Sequence, residues 1–536
     1  MKNIKLVLLI VLAAGMMFQS CTDNWLEEDV FDFKTDDNFF KTPEDANLAM
    51  IGTYKYLADL YRISMIEMLT QNSGAFTKGK KSTAWMTGAY TPATKEINST
   101  WLESYTLINA CNDIIYRLNR MEGIDSTFQK SIIAEARFLR GWSYFNLVRI
   151  FRRVPIKLEP TSSIDKGIMV GLDSADVIYN KVIIPDLEFA KTYLPESRLA
   201  SNTGRVTKGT AAAALSKVYI TMAGIDYNSG YWVKARDEAK WVIDNCSYEL
   251  VSDFGDLWDD NNKNTKESIF EVQYIRNINT GSGYAKIFTP SGSRFAAMGG
   301  GWGRSRCTQK NYDDFRNSYP GDYRLEKTFL QINVKGDSYN GYIRYKNTAN
   351  GLNIYPIAIY PTYVDKKFNY QKSKEYYPYV GKWKDPDAVD NFNADNNFIV
   401  IRYADVLLMF AEAENEVNGP SGEAYDAIDM ILDRARNADG TPREQPADWE
   451  RTMSKEEFRD KVWNERRFEL LGELQLWFDL VRKGWDKFRT FKEEDNEYGD
   501  KEIKHGIYEK NMYYPIPTLE ISANDAISVE DQNPGY

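Results

Sequence analysis

The chain of 536 residues is long enough to bury a large core, and its formal net charge of -10 argues against a nucleic-acid partner, which requires a basic surface. A single histidine excludes most metal-hydrolase and Ser/His/Asp catalytic designs. Cys111, Cys246 and Cys307 have no CxxC spacing, so they indicate buried free thiols rather than a zinc site or a disulfide scaffold. We expect no cofactor and no metal.

The N-terminus has the order of a lipoprotein signal. Lys2 and Lys5 precede an unbroken apolar run over 6–14, which is too short to span a bilayer, and Cys21 follows. We predict that residues 1–20 are a signal peptide and that Cys21 carries lipid, because the order resembles a bacterial lipoprotein site. The alternative is an ordinary secretory signal with an incidental cysteine. No later segment is apolar for long enough to cross a membrane.

Apolar residues at helical spacing predict a mostly α fold. Thr42 is the candidate N-cap of the first helix. The segment 464–484 should form one amphipathic helix with a charged outer face. A short strand is plausible over 268–274. The predicted helices cover 43–61, 101–120, 134–151, 175–194, 208–224, 231–245, 401–419, 427–440 and 464–484.

Helix pairs with small residues at their crossings, such as the alanine-rich 208–224, resemble tetratricopeptide units. No Pro/Gly/Ser linker or long charge block divides the chain, so we expect a single domain over 21–536. The C-terminal stretch around Tyr514 to Pro517 is rich in proline and cannot continue a helix. We expect it to lie across the helical body as a strap.

Three strings carry a resemblance to a known family. These are AEARFLRGWSYFNLVRIF at 134–151, NERRFELLGELQLWFDLVRKG at 464–484, and the C-terminal YYPIP with a final QNPGY. They resemble the SusD/RagB family of nutrient-binding outer-membrane lipoproteins. The resemblance covers nearly the whole mature chain, although Arg152 stands where the family usually has glycine.

The resemblance implies a SusD-like helical scaffold of tetratricopeptide-type helix pairs, with long irregular loops and a few short strands. It implies a lipid-anchored, surface-exposed protein of the outer membrane that is not an enzyme. Such a protein captures an oligosaccharide or polysaccharide and delivers it to a SusC-like TonB-dependent transporter. The alternatives are a peptide-binding import lipoprotein of the RagB type and a glycan-active enzyme.

Ligand contacts should lie in the irregular loops around 70–100 and 276–306, where aromatic and amide side chains suit sugar recognition. We expect Trp85 and Trp302 to face the ligand at the surface, although core packing is the alternative for each. The Tyr-rich stretch 339–383 could contact a protein partner or form packed strands. The candidate ligand-binding residues are Asn72, Trp85, Tyr90, Tyr284 and Trp302.

Several acidic groups invite a chemical interpretation. Asp405, Glu412 and Glu414 could be catalytic acids, but their spacing favours helix-face charges or structural ion partners. The Asp/Asn-rich segments 253–264 and 385–397 could bind calcium. Neither has the spacing of a calcium loop, so solvated turns are favoured.

Overall fold

The computed structural model describes residues 40–79, 82–161, 169–276, 280–289, 301–330, 344–348, 351–355, 378–385, 387–388, 392–437, 440–498 and 504–536. The predicted signal peptide, Cys21 and most of the Tyr-rich stretch 339–383 lie outside these residues.

The first half of the described chain is a series of helices. Thr42 caps the first of them as predicted, because its side chain accepts a hydrogen bond from the backbone N–H of Asp45 at 3.2 Å. The helices are α1 (Pro43–Arg62), α2 (Ser64–Gln71), α3 (Ala84–Thr87), α4 (Lys95–Leu118), α5 (Ser126–Phe151), α6 (Ala175–Ile178), α7 (Ile184–Tyr193), α8 (Lys208–Ile225) and α9 (Tyr231–Asn245).

The predicted helix 175–194 is interrupted. A π-helical turn over Tyr179–Ile183 separates α6 from α7, and Pro185 lies in the first turn of α7. Proline has no N–H for the preceding turn, and its ring clashes with the carbonyl four residues earlier in an α-helix. A wider turn at this point relieves that clash.

The second half contains shorter helices. They are α10 (Tyr284–Phe288), α11 (Gln309–Ser318), α12 (Tyr323–Thr328), α13 (Tyr403–Asn418), α14 (Gly422–Asn437), α15 (Lys455–Glu469), α16 (Leu476–Arg482), α17 (Trp485–Tyr498) and α18 (Thr518–Ala523). Short 3₁₀ turns cover Ala200–Asn202, Phe254–Trp258, Glu509–Met512 and Val529–Asp531.

The prediction of one helix over 464–484 is wrong. The chain leaves α15 after Glu469 and re-enters a helix at Leu476. Between them Gly472 has φ 84° and Leu474 has φ 58°, in the left-handed region that an α-helix cannot contain. A side chain at Gly472 would also crowd Val380 at 3.1 Å, so this turn needs glycine. The expected charged outer face is wrong as well, because Glu465, Arg466 and their charged neighbours are buried.

Short antiparallel strands connect the helices. The strands are β1 (Phe76–Thr77), β2 (Ser268–Val272), β3 (Arg306–Cys307), β4 (Phe329–Leu330), β5 (Arg344–Thr348), β6 (Gly351–Tyr355), β7 (Tyr379–Val380) and β8 (Phe398–Arg402). The predicted strand 268–274 is confirmed as β2, and it pairs with β8 directly before α13, with Glu271 opposite Ile399. A second sheet has the order β1-β3-β7-β4, and β5 pairs with β6 as a hairpin.

The helices pack as neighbours in chain order. α4 packs on α5, α5 on α7, α7 on α8 and α8 on α9, and α9 then contacts α13. The alanines of α8 from Ala211 to Ala214 are fully buried, and Ser216 donates a hydrogen bond to the Ala235 carbonyl of α9 at 2.8 Å. The small side chains therefore permit the close approach that the sequence predicted. The fold is mostly helical, with few short strands.

The C-terminal residues form the predicted strap. The Tyr514 N–H donates to the Ile150 carbonyl at 2.8 Å, and the Asn533 amide donates to the Phe151 carbonyl at 2.8 Å. Both acceptors are at the end of α5, where helix carbonyls have no partner within the helix. The strap thus caps α5, and Tyr514 extends across it to donate to the Met68 carbonyl of α2 at 2.8 Å.

Candidate functional site

The candidate ligand residues divide into a buried set and one exposed residue. Asn72 and Tyr284 are fully buried, and Trp85 and Tyr90 are 6% and 3% exposed. Trp302 is 36% exposed. The predicted surface position of Trp85 is therefore wrong. Trp302 has the predicted exposure, and its contact with ligand stays a prediction.

The strap is the reason that loop 70–100 is covered. Tyr514 packs against both Trp85 and Tyr90, with ring centroids at 6.0 and 4.9 Å, and these two rings also contact each other at 5.2 Å. Tyr536, the last residue of the chain, packs on Tyr90 at 6.0 Å. Asn72 donates its amide to the Tyr514 hydroxyl at 3.1 Å. These contacts hold the strap to the helical body and bury Asn72, Trp85 and Tyr90 beneath it.

Tyr284 belongs to the core for a different reason. The segment expected to be a loop forms the short helix α10, and its N-terminal residue points inward. The Tyr284 hydroxyl donates to the Tyr61 carbonyl at 2.8 Å, while its ring stacks on Phe398 at 4.8 Å. Burial also raises the pKa of this phenol well above its ordinary value.

Trp302 is held at the surface by its backbone and its neighbours. The backbone N–H of Trp302 donates a hydrogen bond to the backbone carbonyl of Lys286 in α10 at 2.7 Å. Gly303 follows with φ 55°, and a side chain there would meet the Tyr379 ring at 2.4 Å. Glycine is therefore required for the turn that presents Trp302. The Phe392 ring supports the indole edge-on at 5.1 Å.

Charged groups surround the exposed indole. The Arg304 guanidinium lies 3.8 Å from its centroid and also pairs with Glu67 of α2 at 3.2 Å. Burial raises the pKa of Glu67, and the neighbouring Arg304 partly offsets that effect. We call Glu67, Trp302, Arg304 and Phe392 the Trp302 surface. It combines an apolar ring, donors and an acceptor at the boundary with solvent.

Sequence reasoning missed two members of this surface. Glu67 lies within a helix and Phe392 within an Asp/Asn-rich segment, far from Trp302 in sequence. No local pattern distinguishes them. Arg304 had a signal, because it follows Trp302 in the glycine-rich loop.

The carboxylates that could have been catalytic are structural ion partners. Asp405 pairs with Lys217 at 2.6 Å and with Arg466 at 3.0 Å. Glu412 pairs with Arg482 at 2.7 Å, and both carboxylates are buried. Burial alone would raise the pKa of Glu412, but Arg482 and Lys483 together hold it well below the ordinary value. These groups are therefore placed to stabilise the fold.

The described residues contain no group of three or more His, Cys, Asp or Glu side chains that could hold a metal ion. Within the same residues, no helix has the length and apolar character needed to cross a membrane.

Comparison with known proteins assigns the fold to a family. The model of the "SusD family" matches residues 266–536, and the model described as "Starch-binding associating with outer membrane" matches residues 45–220. SusD-like protein P2 of Formosa agariphila is 26% identical over 558 residues, covering 100% of both chains.

Solved structures agree with that assignment. A SusD superfamily protein from Parabacteroides distasonis has a TM-score of 0.72 at 26% identity, covering 92% of this chain and 99% of that one. A laminarin-binding SusD-like protein has a TM-score of 0.70 at 22% identity, covering 92% of this chain and 100% of that one. The first of the two family models covers half of the sequence, and the chain therefore belongs to the SusD family.

Proposed function

We propose that this protein is a cell-surface lipoprotein that binds an oligosaccharide or polysaccharide and delivers it to a SusC-like TonB-dependent transporter. Family membership and the starch-binding, outer-membrane description of the second family model support the proposal. The similar fold of a laminarin-binding protein supports a glycan ligand. The observation that carries the binding role is the Trp302 surface.

The Trp302 surface has the chemistry that a sugar ring needs. The Arg304 guanidinium covers part of the Trp302 ring, and the part that stays exposed packs against the C–H face of a pyranose. Arg304 donates to hydroxyl oxygens of the sugar, and Glu67 accepts from its hydroxyl groups. The Arg304–Glu67 pair orients both groups before a ligand arrives, which reduces the entropy lost on binding.

Binding without hydrolysis is part of the proposal. The acidic residues that the sequence suggested as catalytic, Asp405 and Glu412, are engaged in buried ion pairs. A glycosidase needs a carboxylic acid and a second carboxylate on either side of an accessible glycosidic bond. The Asp405 and Glu412 carboxylates contact buried lysine and arginine side chains, so neither faces a solvent-accessible glycosidic bond.

The test is a Trp302→Ala variant titrated calorimetrically with laminari-, malto- and xylogluco-oligosaccharides. Loss of a stacking platform should weaken binding by roughly 1–3 kcal/mol, the scale of an interface hot spot. Because Trp302 is partly exposed, the melting temperature should change little.

Tyr116→Ala is the matched control. Tyr116 is 38% exposed on α4, and the Arg120 guanidinium covers its ring at 3.4 Å, much as Arg304 covers Trp302. This variant should bind like the wild type. Equal affinity of the Trp302→Ala and wild-type proteins, or no binding of any of these glycans, would contradict the proposal.

A further inference from the structure

A second concave surface lies between three helices of the C-terminal half. Residues of α11, α15 and α17 enclose a cleft of about 550 Å³. This volume is within the usual range of small-ligand sites. Among the described residues, the side chains that contact Trp302 include Lys286, Arg304 and Phe392, and none of these three lines the cleft. The cleft is therefore separate from the Trp302 surface.

The walls of the cleft contain fixed polar groups. Asp314 of α11 accepts from Lys310 at 2.8 Å and from Arg467 of α15 at 2.8 Å. Lys310 also pairs with Glu494 of α17 at 3.3 Å. These pairs join the three helices and hold their donors and acceptors in place. A site with such fixed groups loses little side-chain entropy when it binds.

Two charged groups on the cleft remain without an ion pair among the described residues. Asp460 is exposed on α15. Lys487 of α17 places its ammonium 5.3 Å from the Trp463 ring centroid. They face solvent together with the neutral side chains Asn317, Ser318, Asn464 and Thr490. The floor is formed by Trp463, Phe468 and Phe491, each almost fully buried.

Basic and acidic groups are balanced in the lining of the cleft, which gives no preference for a ligand with a net charge. The lining includes the basic groups Lys310, Arg467 and Lys487 and the acidic groups Asp314, Asp460 and Glu494. An anionic ligand would approach Asp460 and Glu494, and a cationic ligand would approach Lys310 and Lys487. A neutral ligand rich in hydroxyl groups avoids both repulsions, because each hydroxyl can donate to a carboxylate and accept from an ammonium or amide.

We propose that the cleft between α11, α15 and α17 is a second carbohydrate-binding site that takes a short neutral stretch of a glycan. The inference rests on the proposed function, because it assigns the same ligand class to a second place on the molecule. Two separate sites on one chain would hold a polysaccharide more tightly than either site alone, through the high effective concentration at the second site.

The experiment uses neutral trisaccharides, which are too short to contribute the avidity of a long chain. Laminaritriose, maltotriose, cellotriose and xylotriose are titrated into four proteins. These are the wild type, Trp302→Ala, the double variant Asp460→Ala/Lys487→Ala, and the combination of all three substitutions. A trisaccharide that binds the wild type should also bind the Trp302→Ala protein with measurable affinity. The combined variant should bind it at least ten-fold more weakly than Trp302→Ala.

The matched control is Glu456→Ala/Arg489→Ala. It removes one acid and one base from the same two helices outside the cleft, where both side chains are solvent-exposed. This control should bind like the wild type. Melting temperatures of all variants verify that the fold is intact.

The possible outcomes separate the two proposals. If Trp302→Ala alone abolishes binding, or if its residual binding survives the cleft substitutions, the second site is refuted and the proposed function stands. If Trp302→Ala leaves the affinity unchanged and Asp460→Ala/Lys487→Ala abolishes binding, the second site stands and the Trp302 surface is refuted. If no trisaccharide binds the wild type, both proposals are overturned.

Discussion

Lys492 is an ammonium group buried in the protein without a carboxylate partner among the described residues. It lies on α17, fully buried, and its Nζ donates to the Asn72 side-chain oxygen at 3.0 Å. The loss of hydration lowers the pKa of Lys492 from 10.5 to about 7. Asn72, expected from the sequence to contact ligand, instead accepts this hydrogen bond beneath the strap.

We predict that Lys492→Met alters the pH dependence of stability. The pKa of Lys492 is lower in the folded than in the unfolded protein, so wild-type stability should rise as pH increases from about 7 to 10.5. Below pH 7 the buried amine is protonated, and the folded protein bears the whole free-energy cost of burying that charge. This cost of burying the charged ammonium is on the order of 5 kcal/mol, at about 1.4 kcal/mol per pKa unit. Methionine removes the charge, so the variant should gain most relative to wild type at pH 6.

Guanidinium denaturation at pH 6, 8 and 10 measures this difference. Lys487→Met is the control, because Lys487 lies on the same helix and is only partly buried. A stability difference between Lys492→Met and wild type that stays constant over this pH range would refute the buried-ammonium interpretation.

At the scale of elements, the family string in α15 builds a buried ion network. Glu469 accepts hydrogen bonds from Arg324 at 2.7 Å, from Arg402 at 2.6 Å and from Arg434. Glu473, in the turn after α15, accepts from Arg402 at 2.8 Å. Residues of α12, β8, α14 and α15 are thereby joined at one point. The string that indicated the family thus marks a structural centre.

We predict that Glu469→Gln destabilises the protein by about 3–5 kcal/mol, because removing one partner leaves buried guanidinium groups without their counter-charge. Glu456→Gln is the control, since Glu456 is exposed in the first turn of the same helix. Denaturant unfolding at pH 7 measures both variants. A Glu469→Gln protein as stable as this control would show that the network contributes little.

The same network gives an acid-side prediction for these variants. Burial alone would raise the pKa of Glu469, but Arg434, Arg402 and Arg324 together hold it well below its ordinary value of 4.5. Its contribution is therefore complete above the unfolded pKa and is lost as pH falls below about 4.5 through the folded pKa. As pH falls below about 4.5, the wild type should therefore lose stability more steeply than the Glu469→Gln variant.

At the scale of the whole molecule, the proposed lipid anchor determines where the protein acts. Two or more acyl chains anchor a protein stably, whereas one chain binds reversibly. Cys21→Ala should therefore release the protein from the outer-membrane fraction or retain its signal peptide. Fractionation followed by mass spectrometry of the N-terminus measures this. A Cys21→Ala protein that stays firmly in the outer membrane would refute the anchor.

The proposed transporter partnership is tested in the same membrane. An anchor confines the protein to the membrane plane and raises its effective concentration near any partner there. Affinity purification from mild-detergent outer membranes should recover a TonB-dependent barrel in near-equal amounts, and the Cys21→Ala strain should yield much less. Recovery of the lipoprotein alone, from cells grown on the inducing glycan, would contradict delivery to a transporter.

The local features of this protein follow from its amino-acid sequence. The Thr42 cap depends on a neighbour three residues away and is confirmed. The small alanines of α8 and the prolines near Tyr514 likewise act on their own segments, by leaving room for a neighbour and by excluding a helix. The contacts that these segments then make, such as those of the strap with the end of α5, join residues far apart in the chain. The family strings are also local, which is why they can be recognised from the order of residues alone.

Which side chains reach solvent is a property of the tertiary fold. Trp85 and Trp302 occupy similar amide- and glycine-rich contexts, yet Trp85 is covered by Tyr514 from the far end of the chain, while Trp302 remains 36% exposed. The sequence pattern predicts Glu469 on a charged outer face, but in the fold it is buried and pairs with Arg324, Arg402 and Arg434. Burial is the sum of contacts from segments hundreds of residues apart, and no local pattern encodes that sum.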